Sequence, residues 1–312
     1  MKRYRDLNSY LREIFGVRVQ KIAIDAGFSC PNRDGTISHK GCIYCDSRGS
    51  GTGAYRKGIS IREQVERARE YLRKRYKAKK FIAYFQAFTN TYADLDELKR
   101  KYDEALCFDD IVGISIGTRP DCIDEEKLKL ISSYKERYMV WIEYGLQSAH
   151  NRTLRLINRG HDRSCFEKAV YMTKKYGINV CAHIILGLPG ETKEMMIETA
   201  RYLSSIPVDG VKIHMLYVVK GTELERMYRR GEVRLFEMEE YADIVCDFLE
   251  HLRPEIVIQR LTSDPPRDEL VAPGWLLEKG KVINLIEKKL EERGSFQGNK
   301  LDLKRNLLYL KD

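Results

Sequence analysis

Three cysteines carry the densest chemical signal in this chain. Cys30, Cys42 and Cys45 fall within sixteen positions, with eleven residues between the first two and two between the last two. Iron–sulfur clusters are held by cysteine thiolates, usually four per [4Fe–4S] unit. Here only three lie together, and no fourth cysteine follows at a short spacing. Three thiolates on a four-iron cluster leave one iron open to a chelating ligand. The competing assignment is a structural zinc site with His39 or a remote residue as fourth ligand. Structural zinc normally draws on two short-spaced ligand pairs. This segment has one, and its eleven-residue loop is long for a zinc knuckle.

The other cysteines are scattered. Cys107, Cys165, Cys181 and Cys246 fall on helix or strand patterns and read as core thiols. Cys122 follows an apolar strand on the face where barrel enzymes do chemistry, which makes it a candidate hydrogen donor or substrate contact. Eight cysteines in a long chain without a secretory signal do not read as a disulfide framework. The opening MKRYRDLNSYLREIF is basic and lacks an apolar signal core, and no apolar run approaches the length of a membrane span. A cytoplasmic protein without membrane association is the expectation. Lys plus Arg number 55 against 46 Asp plus Glu, a net charge of +9. That balance favours polyanionic partners such as nucleic acid, although many basic enzymes never touch it.

Positioning such residues requires a frame. Short β-rich apolar runs at 19–26, 80–86, 111–117, 139–145, 179–187 and 210–217 alternate with helical patterns at 61–76, 95–106, 125–134, 151–176 and 193–205. Near-continuous apolar strands alternating with helices imply a parallel sheet with helices outside. The fold class is α/β, a partial (β/α)6 TIM-like barrel over residues 1–261. The segment is short for eight strand–helix units. Beyond it, 236–252 reads as a helix and 256–260 as a strand. Residues 262–312 read as a C-terminal extension packed on the barrel, with a Pro-rich turn at 262–273, a basic amphipathic helix at 275–293 and a polar tail. The lysines and Arg293 of that helix read as a solvated face or as non-specific phosphate contacts.

The cysteine segment directly follows the run at 19–26, which places it at the carboxyl end of a barrel strand. Further polar groups follow other runs. FQAFTNT at 85–91 is a strand-to-helix loop. Gln147 follows Gly145, and Arg159 comes twelve residues later. GLPGE at 187–191 is a tight turn. His183, His214 and Tyr217 sit on strands, where a lone His is as readily a satisfied core residue as a ligand contact. GSGTG at 49–53 lacks the Lys and Ser/Thr of a phosphate loop and reads as a mobile loop or lid. Arg260, Asp264 and Arg267 in QRLTSDPPR read either as charges aimed at substrate or as a paired turn.

With aromatic Tyr44 before the last cysteine, this set resembles the radical S-adenosylmethionine (SAM) superfamily. The wide first spacing is similar to its Elp3-like branch, as are RPDC at 119–122, EYGLQS at 143–148, NRGH at 158–161 and GLPGE. The stretch 268–275 resembles the YhcC-like bacterial group. The resemblance implies a [4Fe–4S] cluster on Cys30, Cys42 and Cys45, with SAM on its open iron. It implies SAM contacts at Tyr44, Gln86, Phe88, Thr89, Gln147, Arg159, His183 and Ile185. Gln147 offers donor and acceptor for ribose hydroxyls, and Arg159 a fork for the SAM carboxylate. Gln86, Ala87 and Phe88 stand where relatives carry glycines, so only their backbone groups match that role.

The implied reaction is reductive cleavage of SAM to a 5′-deoxyadenosyl radical, fed by a one-electron donor such as flavodoxin or ferredoxin. Elp3-like relatives remodel the wobble uridine of tRNA, which makes tRNA the expected partner and uridine side-chain modification the expected reaction. Splayed single-stranded bases stack on aromatics, and 19 tyrosines supply candidates. The alternatives are a radical SAM enzyme acting on a small metabolite or tetrapyrrole, and a non-catalytic zinc-stabilised RNA-binding module.

Overall fold

Helix and strand signals in this chain are locally consistent, and the computed structural model follows them; it describes residues 2–49 and 51–301. In chain order the elements are α1 (Leu7–Phe15), β1 (Val19–Ile24), α2 (Ile61–Tyr76), β2 (Lys80–Phe85), α3 (Leu95–Ala105), β3 (Ile111–Thr118), α4 (Glu125–Ser133) and β4 (Met139–Gln147). Then come α5 (Asn151–Leu156), α6 (Arg163–Lys175), β5 (Asn179–Leu186), α7 (Lys193–Ser205), β6 (Gly210–Met215) and β7 (Val218–Val219). The last are α8 (Glu223–Arg229), α9 (Met238–Glu250), β8 (Val257–Arg260), β9 (Leu270–Ala272) and α10 (Lys279–Glu292). Side-chain caps fix most helix starts. Asp6, Ser60, Asp94, Asp124, Asp162, Thr192 and Thr222 each accept a backbone N–H of the first turn. The polar tail is described only as far as residue 301, and its remainder, like Ser50 of the glycine-rich run, lies outside the described residues.

Seven strands pair in the order β1-β2-β3-β4-β5-β6-β8, each pair parallel, as a curled half-barrel. The partial barrel is the expected one, with β8 as a seventh strand beyond the six repeats read from the pattern. One face of each strand is apolar. Ile22, Ile24, Phe81, Phe85, Ile114, Ile116, Ile142 and Ile184 join one large core beneath the helices. The opposite face is polar. Lys21 on β1 reaches Glu143 on β4 and Gln259 on β8, bonds that span the inside of the curl. The strands are therefore two-sided, apolar outward and charged inward.

Elements outside the repeats close the frame. Leu11 of α1 packs with Val19 and Ile82, and Tyr10 meets Trp141 edge-on at 6.1 Å. The N-terminal segment also runs beside β8, where Asp6 bridges Ile258. Gln297 pins both ends: its backbone N–H bonds Arg3 O at 2.8 Å, and its amide bonds Arg253 O and Ile256 O. β7 and β9 form a small antiparallel pair.

Three sequence expectations are corrected here. The helical pattern 151–176 is two helices, because Asn158 (φ 52°) and Gly160 (φ 77°) take left-handed backbone and break it. The basic helix begins at Lys279, after a separate short turn over Gly274–Leu277. Its cations are not free. Lys289 pairs with Glu239 and Asp243, Arg293 with Asp243 and Asp247, Lys281 with Glu278, Lys288 with Glu292 and Lys279 with Asp264. Among the scattered cysteines, Cys181 and Cys246 are buried as expected, while Cys165 is half-buried and Cys107 is exposed.

Candidate active site

The long segment between β1 and α2 carries the three cysteines and is held by its own turns. Arg33 N bonds Cys30 O at 2.8 Å, Gly41 N bonds Asn32 O at 2.8 Å, and Cys45 N bonds Cys42 O at 3.0 Å. The break between α5 and α6 clamps it from the side. Asn32 Nδ2 donates to Asn158 O at 2.7 Å, and Asn158 Nδ2 donates to Gly41 O at 2.6 Å. The same left-handed turn that breaks the helix thus locks the cysteine loop.

Cys30, Cys42 and Cys45 line one cavity at the carboxyl end of the sheet. Donors surround their sulfurs. Arg33 lies 3.3 Å from Cys45 Sγ, and Asn32 and Arg159 each lie 3.6 Å from Cys42 Sγ. Burial pushes the free Cys45 thiol up to about 12. A metal displaces that proton on binding, and nearby guanidinium groups offset the charge that thiolates bring. His39, the candidate fourth ligand of a zinc site, is exposed and folds over Gly35 away from the cavity lining.

Tyr44, Gln86, Phe88, Thr89, Gln147, Arg159, His183 and Ile185 all line the same cavity, as do His214, Tyr217, Arg260 and Asp264. Four described non-glycine residues have positive φ, and three stand here: Phe88 at 58°, Gln147 at 75° and Asn158 at 52°. Such backbone costs about 1–3 kcal/mol per residue and collects at functional sites. Gln147 sits where the β4–β5 register shifts. A Cβ on Gly145 would lie 2.5 Å from Arg159 Nη2 and Gln147 Nε2, so a larger residue there would displace these two side-chain ends. Arg159 is buried and donates twice to Gly145 O, at 2.7 and 3.1 Å.

The turn after β2 is similarly over-determined. Phe88 N bonds Gly49 O, and a Cβ on Gly49 or Gly51 would strike Phe88 or Ala87 at about 2.4–2.5 Å. Gly49 and Gly51 of the run read from sequence as a mobile loop or lid therefore pack closely against Phe88 and Ala87. Thr89 Oγ1 is buried without a partner among the described residues. A buried hydroxyl without a partner is costly unless something bonds it. The donor set, the strained backbone and this orphaned hydroxyl fit a chelated amino-acid cofactor beside a cluster.

Cys122 is placed differently. It is buried beneath the Arg119–Asp121 pair, does not belong to the cavity lining, and burial pushes its thiol up to about 12. Arg119 of the same RPDC run bonds Arg159 O at 2.9 Å and so steadies the Arg159 turn.

Sequence reading missed the inner face of the sheet. Glu143 is buried and takes Lys21 Nζ at 2.5 Å, His183 Nε2 at 2.7 Å, Ser115 Oγ and Lys212 Nζ. Lys21 and Lys212 hold it well below the usual carboxylate range against the opposing effect of burial. Burial pushes His183 down to about 4, so its neutral ring donates to Glu143. Glu143, Cys181 and His183 offer ligand atoms within 4.8 Å of one another. Two lysines already neutralise that carboxylate, so the group is an ion-pair core rather than a cation site. The overlooked signal was a lone lysine inside an apolar strand, at Lys21 and again at Lys212.

The chain is similar to known proteins in sequence and in fold. The Radical SAM superfamily model matches residues 34–203, and the Radical_SAM C-terminal domain matches residues 208–292. The chain is 44% identical over 297 residues to uncharacterized protein YtqA of Bacillus subtilis, covering 95% of this chain and 92% of that one. It is 36% identical over 288 residues to protein YhcC of Escherichia coli, covering 92% of each. A tRNA uridine(34) acetyltransferase of Methanocaldococcus infernus is 30% identical over 188 residues, 59% of this chain and 34% of that one. Among solved structures, archaeal Methanocaldococcus infernus Elp3 superposes with a TM-score of 0.66 at 22% identity, covering 78% of this chain and 62% of that chain.

Proposed function

This chain belongs to the radical SAM superfamily, in its Elp3-like branch and YhcC-like group, and we propose that it modifies the side chain of a tRNA wobble uridine. The cofactors of the family are a [4Fe–4S] cluster and SAM. In this reading Cys30, Cys42 and Cys45 hold the cluster. The observation that carries the assignment is the convergence of those thiols, the left-handed Phe88 and Gln147 and the orphaned Thr89 hydroxyl on one cavity. Bound there, the two cofactors supply a 5′-deoxyadenosyl radical by reductive cleavage of SAM.

The chain's own groups bind, orient and exclude water. Arg159 presents its fork beside Cys42, where a SAM carboxylate would meet it. The backbone of Gln86 and Phe88 and the Thr89 hydroxyl would hold the amino group, and Gln147 would hold the ribose. Ile185 supplies an apolar surface for adenine. A one-electron donor such as flavodoxin or ferredoxin completes the requirement. The tRNA assignment rests on the Elp3-like relatives and the basic balance of the chain.

Anaerobic purification tests the first half. About four irons per chain and 5′-deoxyadenosine on adding dithionite and SAM are expected. Alanine at Cys30, Cys42 or Cys45 abolishes both; a variant that still cleaves SAM overturns the ligand assignment. For the second half, mass spectrometry of tRNA nucleosides from a strain lacking the gene is expected to show a wobble-uridine precursor accumulating. An unchanged profile overturns the tRNA reading.

A further inference from the structure

The inner face of the sheet divides the cavity into two chemically distinct walls. On one wall stand the cysteines, residues 86–89, Gln147 and Arg159. The other is built from β6 and β8. Strand register sets Gly145, His183, Lys212 and Arg260 side by side across β4, β5, β6 and β8. His214 lies two residues above Lys212 on the same face of β6, with its ring 5.2 Å from that of His183.

Four arginines line the cavity. Arg33 is used on Cys45 and Asp46 O, Arg119 on Asp121 and Arg159 O, and Arg159 on Gly145 O and Cys42. Arg260 has no side-chain hydrogen bond or salt bridge among the described residues, although the residue is half-buried. His214 Nε2 is likewise buried without a partner. The charge is unbalanced as well. Lys21 and Lys212 share the buried carboxylate Glu143, with Arg260 beside Lys212 in register, while Asp264, the other carboxylate of the cavity lining, pairs with Lys279 at 3.4 Å. Burial pushes Lys212 down to about 7, with Lys21 and Arg260 adding to the effect against the pull of Glu143. An anion beside it would favour its charged form.

We propose that Arg260, with His214 and Lys212 behind it, receives a carboxylate carried by the substrate. A guanidinium fork matches a carboxylate bidentately, and a neutral imidazole adds one donor. An RNA phosphate is a poorer occupant, because a splayed base enters a cavity while its backbone stays at the rim. The proposal deepens the uridine reading and rests on it: the uridine reaching this enzyme already bears an acidic side chain. The class of reaction that supplies it is therefore one that attaches a carboxyl-bearing group to the base.

Two measurements separate the outcomes. In tRNA digests from the deletion strain, the accumulating nucleoside is expected to bind an anion exchanger at neutral pH and to gain a methyl group on esterification. A precursor that gains no methyl group on esterification overturns the carboxylate site and leaves the uridine reading standing. An unchanged profile overturns the uridine reading, and the site is then decided on the reconstituted, SAM-loaded full chain. There, equilibrium dialysis uses labelled malonate as a probe bearing nothing but carboxylates. Binding to the wild type is expected to fall at least tenfold in Arg260→Gln and to recover in part in Arg260→Lys. Circular dichroism confirms the fold of both variants. Absence of binding to the wild type, or equal binding by wild type and Arg260→Gln, overturns the proposal.

Discussion

Glu143 shows what one residue does for both stability and site. Its carboxylate joins Lys21, Lys212, His183 and Ser115 across four strands. Removing one partner of a buried ion pair strands the others and typically destabilises by about 3–5 kcal/mol. Glu143→Gln keeps the shape and loses the charge, so urea titration at pH 7 is expected to show a loss of that order. The pH dependence has a definite sign. The folded-state pKa lies well below the ordinary 4.5. The stabilisation is therefore fully present above that ordinary value and fades as pH falls through the folded one. The gap between wild type and variant should narrow in strong acid, as the pH falls through the folded-state value of Glu143. A gap that persists undiminished there would contradict the ion-pair account.

Elements decide which sequence signals were legible. The cysteine spacing and the alternation of strands and helices were plain in the chain, because both are local. The inner lysines were not. Lys21 and Lys212 interrupt runs that otherwise read as apolar on both faces, and only curling of the sheet brings their charges together on Glu143. The break at Asn158–Gly160 was hidden because α5 and α6 keep a helical pattern on either side of it. The basic C-terminal helix displayed Lys289 and Arg293 without their partners, since those carboxylates lie some forty residues earlier on α9. That helix is a strap. Val282, Ile286 and Leu290 are fully buried in the main core, and Lys289 and Arg293 tie its far end to α9. Ile286→Ala removes a buried side chain from a packed interface and is expected to cost about 2–5 kcal/mol. Chemical denaturation measures it. A loss under about 1 kcal/mol would mean that α10 merely rests on the barrel.

At the scale of the whole molecule, the question is where the excess positive charge meets a polyanion. Most cations of α2 and α10 are matched to carboxylates: Arg62 with Glu66, Arg67 with Glu63, Lys74 with Glu70, and the pairs of α10 described above. A uniformly basic surface is therefore not what the fold offers. Lys40, Arg56 and Lys57 differ. They lie on the segment between β1 and α2 that also carries the cysteines, they are exposed, and they have no salt bridge among the described residues. On the tRNA reading these three are the candidate phosphate contacts of the cysteine segment. Changing all three to Gln is expected to weaken tRNA binding for every sequence alike. It should also flatten the dependence of log K on log salt by about 0.7 for each single-strand phosphate that is no longer neutralised. Filter binding at several salt concentrations measures both quantities. The iron content of the variant reports whether the cysteine loop survived the changes. An unchanged slope would move the RNA to another face, and a wild-type affinity indifferent to salt would remove the electrostatic case for RNA altogether.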